Sequence, residues 1–403
     1  MADTVKKVVL KNGTVRYRAV VDAGHGPDGK RRQLTITRDT VTEVRNEVAR
    51  IRHERTTGQL ILPSKVTVSE WADQWLAKKA EDLEPTTLPS YETAVGYIKR
   101  AMGHIRLQAL TEDDVENFVQ WLLREGRQRP AYILSGDPSQ PVVQQKGLRP
   151  SSVDTVLARL KDMIGRAYVR KMIRANVAEY VHVPRQARKQ DRRSSPKVKP
   201  WNTAEVQAFV LGIRDDRLCA PLMESLMGMR PAEVAGQRWD EDVDLETGLV
   251  AILNTRTMVR NHYTVEKDTK TTSSERTLPL PSLVWDALKR LRATQARERL
   301  AAGEAYTNSG YVMVDELGVP LTTRDLREHA YRLMEQLELR RVRLYDARHA
   351  VLKYLAVNGV PDVILAAWAG HTNAAFTKAK YVAPDAEDLR SAADALDGLH
   401  GAM

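Results

Sequence analysis

The chain has 403 residues, a length that accommodates two to four domains of about 100–200 residues each. Its hydrophobic share of 42% suffices for ordinary globular cores, and the single cysteine, Cys219, excludes an internal disulfide framework and fits a reducing compartment. The sequence contains no apolar run of about 18 residues and no signal-peptide pattern, so we expect a cytoplasmic protein without a membrane partner.

Positive charge is concentrated in two stretches of the chain, whose formal net charge is +10. Lys and Arg outnumber Asp and Glu by 13 to 7 in residues 1–58 and by 7 to 1 in residues 184–199. Charge concentrated in this way indicates a polyanionic partner, most simply nucleic acid. Solvated surface charge is the alternative interpretation.

Residues 1–58 are predicted to form three short strands followed by a helix. Asn12-Gly13 between two alternating apolar and polar segments is a strong hairpin signal. Thr40 and Glu43 form a capping box that begins the helix. The strands are expected at 5–10, 14–22 and 30–37. A small basic module of this kind fits either DNA binding or a protein interaction.

Residues 66–183 are predicted to form a helical bundle, preceded by a linker at 59–65. Apolar residues recur at helical spacing in four segments, and a long polar surface loop is expected at 127–149. The helices begin near Thr67, Pro89, Thr111 and Pro150. We interpret the Trp and Tyr side chains of these segments as core residues rather than as base-stacking residues.

Residues 184–199 contain two prolines and no apolar periodicity, which predicts a charged linker between two domains. Basic side chains in such a linker suit contact with DNA phosphates, which requires no reading of sequence; a solvated tether is the alternative. The basic residues concerned are Arg185, Arg188, Lys189, Arg192 and Arg193.

The region from residue 200 onward mixes helices and strands. Within it, Arg230 is followed by Pro231 at the first position of a helix and by Glu233 one turn later. An arginine at a helix N-terminus binds phosphate well, because its planar guanidinium donates two hydrogen bonds and the helix end adds N–H groups. Helices are predicted at 203–209, 217–229, 282–302 and 323–338, and strands at 249–253, 263–267 and 311–314.

Residues 343–381 bring an arginine, a histidine and a tyrosine into one short segment. Arg348 lies early in a predicted amphipathic helix, and a second apolar helix is expected at 362–369. A glycine turn then precedes His371, and Tyr381 comes ten residues later. A phosphate-binding arginine, a hydrogen-bonding histidine and a presented phenol are the groups needed for attack on a phosphodiester.

This segment resembles the C-terminal half of the tyrosine recombinases, the phage integrase family. In that family a (His/Lys)-x-x-Arg box precedes Leu-Gly-His, and the nucleophilic tyrosine lies ten residues after that histidine. The corresponding residues here are Tyr345-Asp346-Ala347-Arg348, Ala369-Gly370-His371 and Tyr381. Tyr345 departs from the family pattern, because it stands where histidine or lysine is usual.

Two further stretches carry the resemblance. The run GMRPAEVAGQRWDEDVD resembles the family's first arginine box, with Arg230 as the phosphate-binding arginine and Glu233 as its supporting acid. The run KTTSSERTLPL resembles the strand–turn–strand that carries the family's lysine. That lysine is then Lys270, and the nearby Lys267 is the alternative.

The resemblance implies a multidomain α+β chain. A small three-stranded sheet with a helix would insert into the major groove, an all-α bundle would bind the core site, and a mainly helical domain with a small sheet would be catalytic. The divisions are 1–58 (arm-type DNA-binding domain), 59–65 (linker), 66–183 (SAM-like core-binding domain), 184–199 (basic linker) and 200–403 (catalytic domain with a tail). The expected groove-facing residues are Arg16, Arg18, Arg31, Arg32 and Gln33.

The same resemblance assigns roles at the reacting phosphate. Tyr381 is the nucleophile, and its phosphotyrosine retains the bond energy needed for rejoining. Arg230 and Arg348 hold the non-bridging oxygens, and Lys270 protonates the departing 5′ oxygen. His371 hydrogen-bonds the phosphate. No metal or other cofactor is required.

Tyr345 is expected to position the substrate or the nucleophile rather than to relay a proton. A phenol has a pKa of about 10, so it does not exchange a proton readily near neutral pH. Its hydroxyl still hydrogen-bonds a phosphate. Tyr345 is also the alternative nucleophile to Tyr381.

The implied function is integration and excision of a phage or other mobile element, by recombination of two attachment sites through a Holliday junction. The expected partners are double-stranded DNA at core and arm sites and three more copies in a homotetramer. An excision directionality factor and a host DNA-bending protein are candidate accessory partners. The alternatives are a chromosome-dimer-resolving recombinase, a type IB topoisomerase and a non-catalytic regulator of excision.

Overall fold

A computed structural model describes the chain in seven stretches that form two compact units. The first unit ends at residue 194 and the second begins at Trp201. In these stretches no helix combines the length and the apolar character that a membrane crossing requires. The described residues are 5–10, 13–25, 31–127, 146–194, 201–259, 263–268 and 275–370.

The first unit begins with an antiparallel sheet of three strands in the order β1-β2-β3. One face of the sheet packs Ala19, Val21 and Ile36 against Val44 and Val48 of the following helix. The elements are β1 (Lys6–Val9), β2 (Val15–His25), β3 (Arg31–Arg38) and α1 (Val41–Thr56). All four predicted elements are confirmed, because the hairpin and capping signals are local.

Four further helices form the bundle predicted for this unit. The Thr67 and Thr111 side chains cap their helices as the sequence indicates. The Trp71 indole is buried and donates a hydrogen bond to the carbonyl of Met163 at 2.9 Å, which confirms it as a core residue. The helices are α2 (Val68–Ala80), α3 (Leu88–Met102), α4 (Glu112–Arg124) and α5 (Pro150–Val169). Most of the predicted loop, residues 128–145, lies outside the described residues.

The basic stretch after the bundle contains a helix, α6 (Arg185–Ser194), where the sequence predicted irregular structure. Arg, Lys, Gln and Ala are good helix formers, and no proline interrupts these ten residues. The Arg188 guanidinium forms a two-pronged ion pair with Asp154 of α5, with both N–O distances at 2.8 Å. The sequence of α6 shows no apolar periodicity, because none of its described side chains is buried.

The second unit is organised around α8 (Cys219–Leu226), all eight residues of which are buried. Phe209, Leu288 and Met334 from three other helices belong to the same core. The surrounding helices are α7 (Thr203–Gly212), α9 (Pro231–Gly236), α10 (Trp239–Asp242), α11 (Ser282–Ala302), α12 (Thr323–Gln336), α13 (Leu344–Val357) and α14 (Asp362–Ala369). This mixture of helices and small antiparallel sheets confirms the α+β class.

Two small sheets complete the second unit. The strands are β4 (Val243–Asp244), β5 (Leu249–Ile252), β6 (Asn254–Val259), β7 (Tyr263–Asp268) and β8 (Arg276–Pro279). β4, β5 and β8 form one sheet in that order, and β6 pairs with β7. The strand expected at 311–314 is wrong: Tyr311 and Val314 form isolated bridges with two different partners, Arg238 and Pro320.

Candidate active site

Arg230 lies immediately before α9, where its extended backbone makes it the N-terminal cap of that helix. The Glu233 carboxylate binds both the backbone N–H and the guanidinium of this arginine. Its Oε2 accepts a hydrogen bond from the Arg230 backbone N–H at 2.8 Å, and its Oε1 accepts one from Arg230 Nη1 at 2.6 Å. The predicted helix N-terminus is therefore present, and the acid one turn later fixes the guanidinium on it.

A second arginine, Arg276 of β8, binds the same carboxylate, although it was not among the predicted site residues. Its Nη1 and Nη2 donate to Glu233 Oε1 and Oε2 at 3.1 and 2.9 Å, and its Nε donates to the carbonyl of Trp368 at 2.9 Å. Its side chain is 7% exposed, against 31% for Arg230. Arg276 could have been identified from the sequence, because it lies six residues after Lys270 in the run KTTSSERTLPL.

The Glu233 carboxylate is ionised although its side chain is almost completely buried. Burial by itself would raise its pKa. The hydrogen bonds and charge of Arg276, followed by the charge of Arg230, outweigh burial and hold the pKa of Glu233 below its ordinary value. The site therefore contains two guanidinium groups on one carboxylate, with one positive charge in excess.

Arg348 of α13 contacts the same region, although it lies far from Arg230 in the sequence. Its Nη1 donates to the carbonyl of Gly228, and its Nη2 donates to the carbonyl of Ala369. Arg230 Nη2 donates to the next carbonyl, that of Gly370, at 3.0 Å. Two arginines 118 positions apart thus bind consecutive carbonyls at the end of α14, immediately before His371 in the sequence.

The two predicted phosphate-binding arginines differ in exposure. Arg230 presents part of its guanidinium to solvent, whereas Arg348 is 1% exposed. The carbonyls of Gly228 and Ala369 accept hydrogen bonds from the two terminal nitrogens of Arg348. Of these two arginines, Arg230 is the one that is open to solvent.

Gly370 makes the close approach of these groups possible. Its backbone is left-handed, with φ at +60°. A Cβ atom at this position would lie 2.8 Å from Arg276 Nη1 and 3.4 Å from Arg230 Nη1. The turn before His371 therefore requires glycine both for its backbone angle and for the space that the guanidinium groups occupy.

Tyr345 lies in the first turn of α13, one turn before Arg348. Its side chain is 41% exposed. The arginine of this box therefore points into the protein, while the tyrosine is accessible at its surface.

Three predicted catalytic residues lie outside the described residues: Lys270, His371 and Tyr381. The same holds for the side chain of Lys267 and for the tail after Tyr381. β7 ends at Asp268 and β8 begins at Arg276, so Lys270 belongs to the connection between them. In the part of the chain that the structure describes, no cluster of His, Cys, Asp and Glu side chains is arranged to hold a metal.

The predicted groove-facing residues lie on the N-terminal sheet. Alternation along β2 places Arg16 and Arg18 on the face opposite α1, because Ala19 and Val21 face the core. Gln33 of β3 is exposed on the same outer face, where it lies opposite Asp22. Arg31 and Arg32 are exposed at the start of β3, and Arg31 forms an ion pair with Asp22 at 3.4 Å.

The predicted basic residues after the bundle lie on α6. Arg185, Lys189 and Arg192 are exposed and recur at helical spacing along one side, and Arg193 is exposed beside them. Arg188 differs, because Asp154 already binds its guanidinium. The helix thus presents a row of basic side chains, which an irregular linker would not align.

Two protein-family models match the chain. The model described as phage integrase family matches residues 205–388, and the model described as phage integrase, N-terminal SAM-like domain matches residues 67–123. Together the two matches cover more than half of the chain.

Similar proteins extend the match over most of the chain. An integrase from Streptomyces ambofaciens is 24% identical over 394 residues, which are 95% of this chain and 93% of that protein. The Tn1549 transposon integrase in complex with transposon right end DNA has a TM-score of 0.63 at 18% identity, covering 82% of this chain and 99% of that one. A lambda integrase tetramer bound to a Holliday junction has a TM-score of 0.51 at 14% identity, covering 92% and 94%. The chain belongs to the phage integrase family, the tyrosine recombinases.

Proposed function

We propose that the chain is an integrase that cleaves and rejoins attachment-site DNA through a 3′-phosphotyrosine intermediate, and so integrates and excises a mobile element. The observation that carries the proposal is the convergence of Arg230 and Arg348 on consecutive carbonyls immediately before His371. The similar proteins support it, because they are integrases matched over most of their length. The solved ones are bound to transposon-end DNA and to a Holliday junction.

In the proposed reaction, the Tyr381 oxygen attacks the phosphorus and the bond from phosphorus to the 5′ oxygen breaks. The phenol releases its proton to solvent water, and the departing 5′ oxygen takes a proton from Lys270 as general acid. Rejoining reverses these steps with the 5′ hydroxyl of the partner strand. Because the phosphotyrosine bond replaces the broken phosphodiester, no other energy source is needed.

Arg230 supplies the electrostatic stabilisation that this attack requires. Its guanidinium stays charged at all relevant pH values and is partly open to solvent. Donors held in place by Glu233 and by the carbonyl of Gly370 lose little energy to reorganisation when charge develops on the phosphate. Arg348 and His371 act on the same phosphate, with Tyr345 as a surface group that positions it.

The DNA interface is proposed to extend over the other predicted domains. The outer face of the sheet in residues 1–58 would enter the major groove at arm sites, through Arg16, Arg18, Arg31, Arg32 and Gln33. The bundle at 66–183 would bind the core site, and the basic row of α6 would bind phosphates. Residues 200–403 would then be the catalytic domain.

The assembly is proposed to be a tetramer on two attachment sites, as the lambda integrase tetramer is on a Holliday junction. Recombination passes through such a junction because each duplex is cut one strand at a time. An excision directionality factor and a host DNA-bending protein remain proposed partners. The basic sheet favours an arm-binding integrase over a chromosome-dimer-resolving recombinase.

Covalent trapping tests the proposed function. The chain is incubated, without metal, with a nicked duplex that carries the element's own junction sequence, and the products are separated on a denaturing gel. We expect a protein–DNA band that Tyr381→Phe abolishes. Tyr345→Phe is the matched control, and we expect it to retain the band. Binding without any covalent band would contradict the proposal in favour of a non-catalytic regulator.

A further inference from the structure

We propose that Arg276 is a positioning residue of the recombinase site, which neutralises Glu233 so that Arg230 keeps its positive charge for a phosphate. This inference rests on the proposed function. Arg276 lies on β8 and comes to the site from a different part of the fold than either arginine box.

The geometry assigns Glu233 mainly to Arg276. The Arg276 guanidinium donates to both carboxylate oxygens, at 3.1 and 2.9 Å, whereas the Arg230 guanidinium donates to Oε1 alone. A two-pronged arginine–carboxylate pair is stronger and more strictly oriented than a single contact. Arg276 also lowers the pKa of Glu233 more than Arg230 does.

Exposure separates the roles of the two arginines. Arg276 contacts Glu233, the carbonyl of Trp368 and Gly370, and its side chain is nearly buried, so it offers little surface to a DNA backbone. Arg230 shares the carboxylate but faces solvent in part. Arg276 therefore influences the phosphate only through the groups that it holds.

Arg276 also joins two parts of the site that are far apart in sequence. Its Nε holds the last turn of α14 at Trp368, and its Nη atoms hold the first turn of α9 at Glu233. The carbonyls that bind Arg348 and Arg230 follow Trp368 directly. The position of the turn before His371 thus depends on the same guanidinium.

The charges of Arg276, Glu233 and Arg230 predict how single and double variants should differ. When Arg276→Gln removes one positive charge, Arg230 becomes the sole charged partner of the Glu233 carboxylate among the described residues, and that pair has no net charge to offer a phosphate. Removing the carboxylate charge as well, in the double variant Glu233→Gln/Arg276→Gln, returns the excess positive charge to Arg230. A purely structural role predicts the opposite, because the double variant loses more hydrogen bonds than the single one.

The test is the single-turnover rate of covalent adduct formation on the nicked junction duplex. We expect Arg276→Gln to slow this rate by about a hundredfold, the usual effect of losing one preorganised charged contact. The double variant should be about tenfold faster than Arg276→Gln, and Arg276→Lys, which keeps the charge, should stay within about tenfold of the unmodified chain. Arg217→Gln is the matched control: it removes a two-pronged pair with Glu298 in the same unit and should leave the rate unchanged.

Three outcomes overturn the inference. One is an Arg276→Gln variant that cleaves at the unmodified rate. Another is a double variant no faster than Arg276→Gln. The third is an Arg276→Lys variant about a hundredfold slower than the unmodified chain, which decides the question even if Arg276→Gln does not fold. Absence of adduct from the unmodified chain would instead overturn the proposed function, and this role with it.

Discussion

Gly370 offers a test in which stability and activity should separate. Gly370→Ala introduces a Cβ atom 2.8 Å from Arg276 Nη1, where ordinary contact needs about 3.5 Å. The guanidinium must therefore retreat by about 0.7 Å, and its hydrogen bonds to Glu233, now 2.9 and 3.1 Å, lengthen and weaken. Because the two charges stay within ion-pair distance and the clash falls on the end of the Arg276 side chain, it adds little to the cost in folding free energy.

Gly359→Ala is the matched control. Gly359 follows α13 as Gly370 follows α14, its φ is +81°, and no atom lies within 4 Å of an added Cβ. Both variants carry the backbone cost of about 1–2 kcal/mol for a left-handed non-glycine residue. In a unit of this size, that cost corresponds to a loss of about 2–8 °C in the melting temperature.

The two variants should therefore melt alike and cleave differently. We expect Gly370→Ala to form the covalent adduct about ten- to a hundredfold more slowly than Gly359→Ala, because a displaced Arg276 no longer orients the Glu233 carboxylate. Thermal melting and single-turnover cleavage on the nicked duplex measure both effects. Equal cleavage by the two variants would show that the space around Gly370 does not matter to the site.

Three further predictions concern charge. Glu233→Gln should lower the free energy of unfolding by about 3–5 kcal/mol in a denaturant titration, because it leaves the buried Arg276 charge without its carboxylate; a change below about 1 kcal/mol would contradict this. Burial raises the pKa of Glu224 to about 8. Between the ordinary pKa of a glutamate and pH 8, the unfolded chain therefore binds fewer protons than the folded one. Stability should accordingly fall by up to about 1.4 kcal/mol per pH unit as pH rises through that window, and Glu224→Gln should flatten the dependence; parallel curves would show that Glu224 is not responsible. Arg18→Ala, on the outer face of the sheet, should reduce the salt dependence of binding to arm-site DNA by about one counterion, whereas Arg45→Ala, exposed on α1, should not.

Local signals explain what could be predicted from the sequence. Asn12-Gly13 and the capping threonines Thr40 and Thr67 act within a few residues, so their strands and helices follow from the sequence directly. The arginine boxes were identifiable because spacing within a short run is visible without a fold. Their convergence, however, depends on the tertiary structure, because Arg230 and Gly370 are 140 positions apart in the sequence.

Long-range contacts explain what could not be predicted. Arg276 is one of many arginines in the sequence, and only its contacts with Glu233, 43 positions away, and Trp368, 92 positions away, distinguish it. The burial of Arg348 likewise depends on the carbonyls of Gly228 and Ala369. The α6 helix has no apolar pattern, because none of its described side chains is buried and an ion pair from Arg188 joins it to α5.

The identity of the nucleophile tests the proposed function most directly. The covalent adduct formed on the nicked duplex is digested with protease and nuclease, and the peptide that carries the nucleotide is sequenced by mass spectrometry. We expect a single modified residue, Tyr381, linked to a 3′ phosphate, with a 5′ hydroxyl on the released strand. A nucleotide on Tyr345, or a linkage through a 5′ phosphate, would contradict it.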